Sequence, residues 1–109
     1  MDIHHGAERR RHPRICEAFP VIVRAVDASG NAFKLTTVLD NFSSHGLSVR
    51  LVRRVAPGTK VFAVIRLSTA PDGEVRAARV AVHGDVLRAE PQPDGSYRVA
   101  VQFTWHHFL

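Results

Sequence analysis

Four arginines crowd one short segment of this 109-residue chain, Glu8-Arg9-Arg10-Arg11-His12-Pro13-Arg14. A guanidinium is planar and permanently charged, and its fork of donors pairs bidentately with phosphate oxygens. The same fork matches the O6 and N7 acceptors of guanine, and its plane can lie over an aromatic face as a cation. Lysine would lose both the fork and the plane. Arg10 and Arg14 form an R-x-x-x-R, and Arg9 stands directly before it. A second polar group follows at Asn41-Phe42-Ser43-Ser44-His45-Gly46, an N-x-S-x-x-G turn that opens a strand. These side chains suit binding an anion better than breaking a bond.

Other chemistries are weaker. Ser43, His45 and Asp40 are too close in sequence to supply a hydrolytic triad, whose members come from separate elements, and no oxyanion-type glycine motif accompanies them. His4, His5, His12, His106 and His107 with Cys16 lack a metal-ligand spacing, so neither a metal nor a catalytic residue is expected. Arg11 and His12 are expected to face solvent, and Cys16 to be an unreactive thiol. Phe33, Leu47 and Phe103 are core candidates, and Trp105, after the last strand pattern, is expected to plug the core.

The elements that must position these groups are strands. From Pro20 onward, Val21, Val23 and Ala25 alternate with Ile22, Arg24 and Val26, then a turn at 27–31 carries Gly30. Phe33, Leu35 and Thr37 alternate with Lys34, Thr36 and Val38. Leu47, Val49 and Leu51 alternate with Ser48, Arg50 and Val52, the period-two pattern of a half-buried strand. Pro57-Gly58 is a turn, after which Val61, Ala63, Ile65 and Leu67 share a face. Pro71-Asp72-Gly73 and Pro93-Asp94-Gly95 are turn signatures: proline presets φ, aspartate bonds nearby backbone, and glycine takes positive φ. Between them, 75–88 reads as a strand with a bend or bulge at Gly84-Asp85. Tyr97, Val99, Val101 and Phe103 complete the set, and 105–109 is too short to assign. About six short strands at this spacing suggest a small barrel or sandwich. Residues 1–17, polar, basic and broken by Pro13, read as a flexible arm.

Composition agrees with a single all-β domain. Apolar residues make up 45% and charged residues 23%, a globular balance. Valine is abundant, which favours strands. The net charge of +5 predicts an anionic partner without choosing among nucleotide, nucleic acid and membrane surface. One cysteine excludes an intramolecular disulfide and fits a reducing compartment. No apolar run reaches membrane-spanning length and the amino-terminal residues lack the apolar core of a signal peptide, so a cytoplasmic protein is expected.

The R-x-x-x-R of Arg10 and Arg14, followed by the N-x-S-x-x-G of Asn41, Ser43 and Gly46, resembles the paired signatures of the PilZ domain, the bacterial receptor module for cyclic di-GMP. The resemblance covers residues 9–104. It implies an all-β fold, a small six-stranded antiparallel barrel at 18–109. The arginine-rich arm at 1–17 would fold across the ligand. Many PilZ domains carry a carboxy-terminal helix after the last strand; here, as a departure from that pattern, little or no such helix is expected before Leu109. It implies that Arg10 and Arg14 grip phosphate and guanine and that Asn41 and Ser43 meet guanine edges. Gly46 would let the backbone turn and approach the ligand, by virtue of glycine's access to positive φ. An arginine at position 9 goes with capture of two stacked ligand molecules in PilZ-like domains. Asparagine at 41 departs from the aspartate frequent in the family; it offers one acceptor and one amide donor, where a carboxylate takes two guanine N–H bonds.

The expected function is therefore a cytoplasmic, non-enzymatic cyclic di-GMP receptor that switches a protein partner in bacterial motility or biofilm signalling. The ligand is not a cofactor, and none is expected. The alternatives are a PilZ-like interaction module that works without ligand and, less favoured, a basic barrel for single-stranded nucleic acid. Aromatics are only 7% of the chain and none clusters with the arm, which weakens the stacking that a strand binder needs.

Overall fold

The computed structural model describes residues 18–68 and 78–109. The arginine arm and the Pro71-Asp72-Gly73 turn lie outside the described residues. Six strands follow in chain order: β1 Pro20–Val26, β2 Ala32–Phe42, β3 Gly46–Leu51, β4 Lys60–Arg66, β5 Arg79–Pro91 and β6 Tyr97–Phe108. All neighbours are antiparallel. The order β1-β2-β3-β6-β5-β4 closes on itself through pairing of β1 with β4. Closure satisfies the backbone groups that an open sheet would leave on its outer strands. The expected six-stranded antiparallel barrel is the fold, with no helix among the described residues.

The period-two patterns become the wall. Val21 and Val23, Leu47, Val49 and Leu51, Val61, Ala63 and Ile65, Val80 and Val82, and Val99 and Val101 all point inward and are buried. Their neighbours in sequence face out, as the pleat requires. Of the expected core residues, Leu47 is buried, while Phe33 and Phe103 are partly buried and pack against the core's rim. Small β-branched residues predominate inside because a six-stranded barrel has a narrow lumen.

Turn chemistry sets the register. Gly95 has φ +89° and its N–H donates to the Gln92 carbonyl at 3.0 Å. That backbone conformation costs glycine nothing and other residues about 1–2 kcal/mol. Asp94 Oδ1 accepts from the Ser96 amide at 2.9 Å and from its hydroxyl at 2.6 Å. The two-strand unit that this turn joins carries shifts of register between His83 and Gly84 and between Val86 and Arg88. The first is the irregularity expected near Gly84-Asp85. Each shift re-aims the side chains beyond it and adds the local twist that lets the sheet close.

Two expectations change at the carboxy-terminal end. Residues 105–108, unassigned from sequence, continue β6. Trp105 is not a core plug: it stands on the outer wall, 47% exposed. The cause is the register shift opposite Gly84, which pairs Trp105 with His83, an outward-facing residue of β5. Phe62, His83, Trp105 and His107 then form a line of rings across three strands, with centroids 4.8, 5.0 and 5.7 Å apart.

Candidate ligand-binding cleft

The end of β2 and the start of β3 build the polar turn. Asn41 pairs with Ser48, next to a register shift between Leu39 and Asn41 that isolates Asp40. Ser43 N–H donates to the Gly46 carbonyl at 2.9 Å, and the Ser43 hydroxyl accepts from the His45 amide at 3.3 Å. A serine that bonds backbone two residues on stabilises a tight turn locally. The Ser44 hydroxyl lies 2.9 Å from His45 Nδ1. The His45 carbonyl then accepts from Phe103 N–H at 2.8 Å, tying the turn to β6.

Gly46 is required here for a different reason from the one expected. It is not among the positive-φ glycines, which are Gly30, Gly58 and Gly95. A Cβ at this position would instead press into the carbonyl oxygen of Val101 on β6. Glycine lets β3 begin in close contact with β6, and both Gly46 and Val101 line the cleft beside it.

That cleft, about 590 Å³, falls within the range of small-ligand sites. Asn41, Ser43 and Gly46 line it together with Arg88, Arg98 and Gln102. The three barrel residues expected from the sequence thus meet in one place. Arg9, Arg10 and Arg14 lie outside the described residues. Ser48, the one buried polar side chain among the described residues, also lines the cleft.

Sequence reasoning missed the cations that line the cleft, Arg88 and Arg98. Arg98 is outward-facing on β6, opposite Arg50 of β3 and Glu90 of β5. Its Nε donates to Asp40 Oδ2 at 3.2 Å, and Arg50 Nε lies 3.6 Å from the same oxygen. Two guanidiniums share one carboxylate, and Arg88 Nε lies 3.8 Å from Glu90 Oε1. Of the charged residues that line the cleft, Arg88 and Arg98 are cations and Glu90 is the carboxylate, a balance that suits an anionic ligand. The alternation of β6 marked Arg98 as outward. Its approach to Asn41 depends on β3 pairing with β6, a contact between strands far apart in sequence that periodicity does not reveal.

Comparison with known proteins places this arrangement. The family described as the PilZ domain matches residues 8–107. The chain belongs to the PilZ domain family. No curated protein matches it. Among solved structures it is similar to the Bacillus subtilis inhibitor of motility MotI/DgrA, with a TM-score of 0.66 and 19% identity. The match covers 89% of this chain and 43% of that one, so this chain spans less than half of that structure's length. At that identity the likeness speaks to the fold. No helix among the described residues is long and apolar enough to cross a membrane.

Proposed function

We propose that this PilZ domain is a cyclic di-GMP receptor that acts by binding, without a chemical step, in the cytoplasm. The observation that carries the reading is the convergence of Asn41, Ser43 and Gly46 with Arg88 and Arg98 around one cleft. In this reading Arg10 and Arg14 close over the cleft and pair with phosphate and guanine. Asn41 and the turn at Ser43 meet base edges. Arg98 and Arg88 add positive potential from the barrel wall. Arg9 holds a second, stacked ligand molecule. Ordering of the arm on the ligand changes the surface shown to a protein partner, and that change is the signal.

Calorimetric titration with cyclic di-GMP tests this. The parent is expected to bind with a Kd of about 1 μM or tighter, which corresponds to about 8 kcal/mol. Arg10→Ala and Arg14→Ala should each abolish the heat. Arg9→Ala should reduce the stoichiometry from two ligands per chain to one. No heat from the parent sinks the proposal.

A second reading draws support from Asn41, with its single acceptor, and from Asp40, which already occupies Arg98. In it the barrel is an interaction module that works without ligand. Such a protein would capture its partner equally well with Arg10 and Arg14 both changed to alanine.

A further inference from the structure

β6 is longer than the strand beside it. Its pairing with β3 ends at Gly46 opposite Gln102, and the bond from Phe103 N–H to the His45 carbonyl is the last on that side. Pairing with β5 continues for five more residues, to Phe108 opposite Val80. Leu109 N–H donates to the Arg79 carbonyl at 2.8 Å, so Leu109 and, two residues earlier, His107 turn their backbone groups toward β5. Alternation then turns the N–H and C=O of His106 and Phe108 to the other side. Among the described residues no strand meets them there.

This edge lacks the usual protection. Exposed edges in natural sheets carry lysine, proline or other charges that block further pairing. Residues 104–109 read Thr-Trp-His-His-Phe-Leu, with no Lys, Arg, Asp, Glu or Pro. Trp105, Phe108 and Leu109 are 47%, 61% and 64% exposed.

We infer that this edge pairs with the same edge of a second copy, antiparallel across a two-fold axis through His107. In that register His106 faces Phe108 of the partner, and each such pair exchanges two backbone hydrogen bonds. His107 meets its own counterpart, and Trp105 lies opposite Leu109. Every pair is apolar or aromatic, the class of cross-strand pair that stabilises a sheet, and no like charges oppose one another. The two-fold axis uses each contact twice. A strongly charged partner would find no counter-charge along this edge, which favours the self-pairing. Five residues per copy bury less than the ~800 Å² per partner of a standard interface, so the dimer is weak and concentration-dependent. This inference is independent of ligand binding.

Sedimentation equilibrium of the full chain from about 1 μM to 1 mM, with amide exchange across the same range, tests the pairing. The mass should rise from one chain to two. The His106 and Phe108 amides should gain protection in step, while those of His107 and Leu109 are protected throughout. Phe108→Lys, which leaves the backbone intact, should remain monomeric with an unchanged thermal midpoint. His106→Pro, which removes an edge donor, should also remain monomeric. A monomer at every concentration overturns the inference, as does a dimer that survives Phe108→Lys. Full protection of the His106 and Phe108 amides at the lowest concentration also overturns it, because the edge would then be covered within one chain.

Discussion

Position 41 decides how many bonds the barrel can offer a guanine. An amide supplies one acceptor where a carboxylate supplies two, and bonds to an ionised group are the stronger kind. Asn41→Asp is therefore expected to tighten cyclic di-GMP binding by about tenfold, near 1.4 kcal/mol. The titration that tests the parent measures this directly; equal or weaker affinity would mean that position 41 does not face the base. Residue identities in the polar turn were legible in the sequence, but their physical reasons only partly so. Ser43 was expected to meet ligand and also shapes its own turn. Gly46 was picked out for a backbone angle it does not adopt, whereas its need is space against Val101. A steric requirement imposed by a strand more than fifty residues away leaves no local signature.

At the scale of elements, the turn between β1 and β2 is held by a clasp. Asp27 Oδ1 accepts from the amides of Ser29 and Asn31 at 2.9 and 3.0 Å, and its Oδ2 accepts from Arg53 at 2.9 Å. Arg53 also lies over the Phe33 ring, 5.3 Å from its centroid. The Asn31 amide, and after it the Arg53 guanidinium, hold the Asp27 carboxyl below its ordinary 3.8. A carboxyl with a depressed folded pKa stabilises the fold above its unfolded value and loses that contribution as pH falls through the folded one. Asp27→Asn should therefore lower the urea midpoint at pH 7. The gap from the parent should close as pH drops below 3.8. A gap that persists undiminished in acid would show that the clasp does not act through charge. The strands themselves were legible because alternation is a local signal: β1, β3 and the start of β6 fall where the valines and leucines place them. The continuation of β6 through Trp105 was not, because the register shift opposite Gly84 turns the pattern over just where the chain runs short of alternating residues.

For the molecule as a whole, barrel closure depends on β1 meeting β4, two strands separated by two others in the chain. Non-local pairing of this kind makes folding slow relative to helical domains of equal size. The strand count and turn positions announced a closed or stacked all-β body, but the order of the strands around it rests on contacts that no window of sequence contains. The closing wall also has a seam. Leu67 N–H donates to the Ala78 carbonyl at 2.8 Å, so the connection from β4 to β5 is clamped where it leaves and re-enters the barrel. Chain added between those two residues has its ends already brought together, and doubling such a connection costs only about 0.6 kcal/mol. A fluorescent peptide inserted between 72 and 73 should leave the melting temperature within a few degrees of the parent, a shift on the scale of about 1 kcal/mol. Cooperative melting lost on insertion would contradict this. The domain thus offers a built-in port for a reporter, on a connection separate in the chain from the polar turn at 41–46.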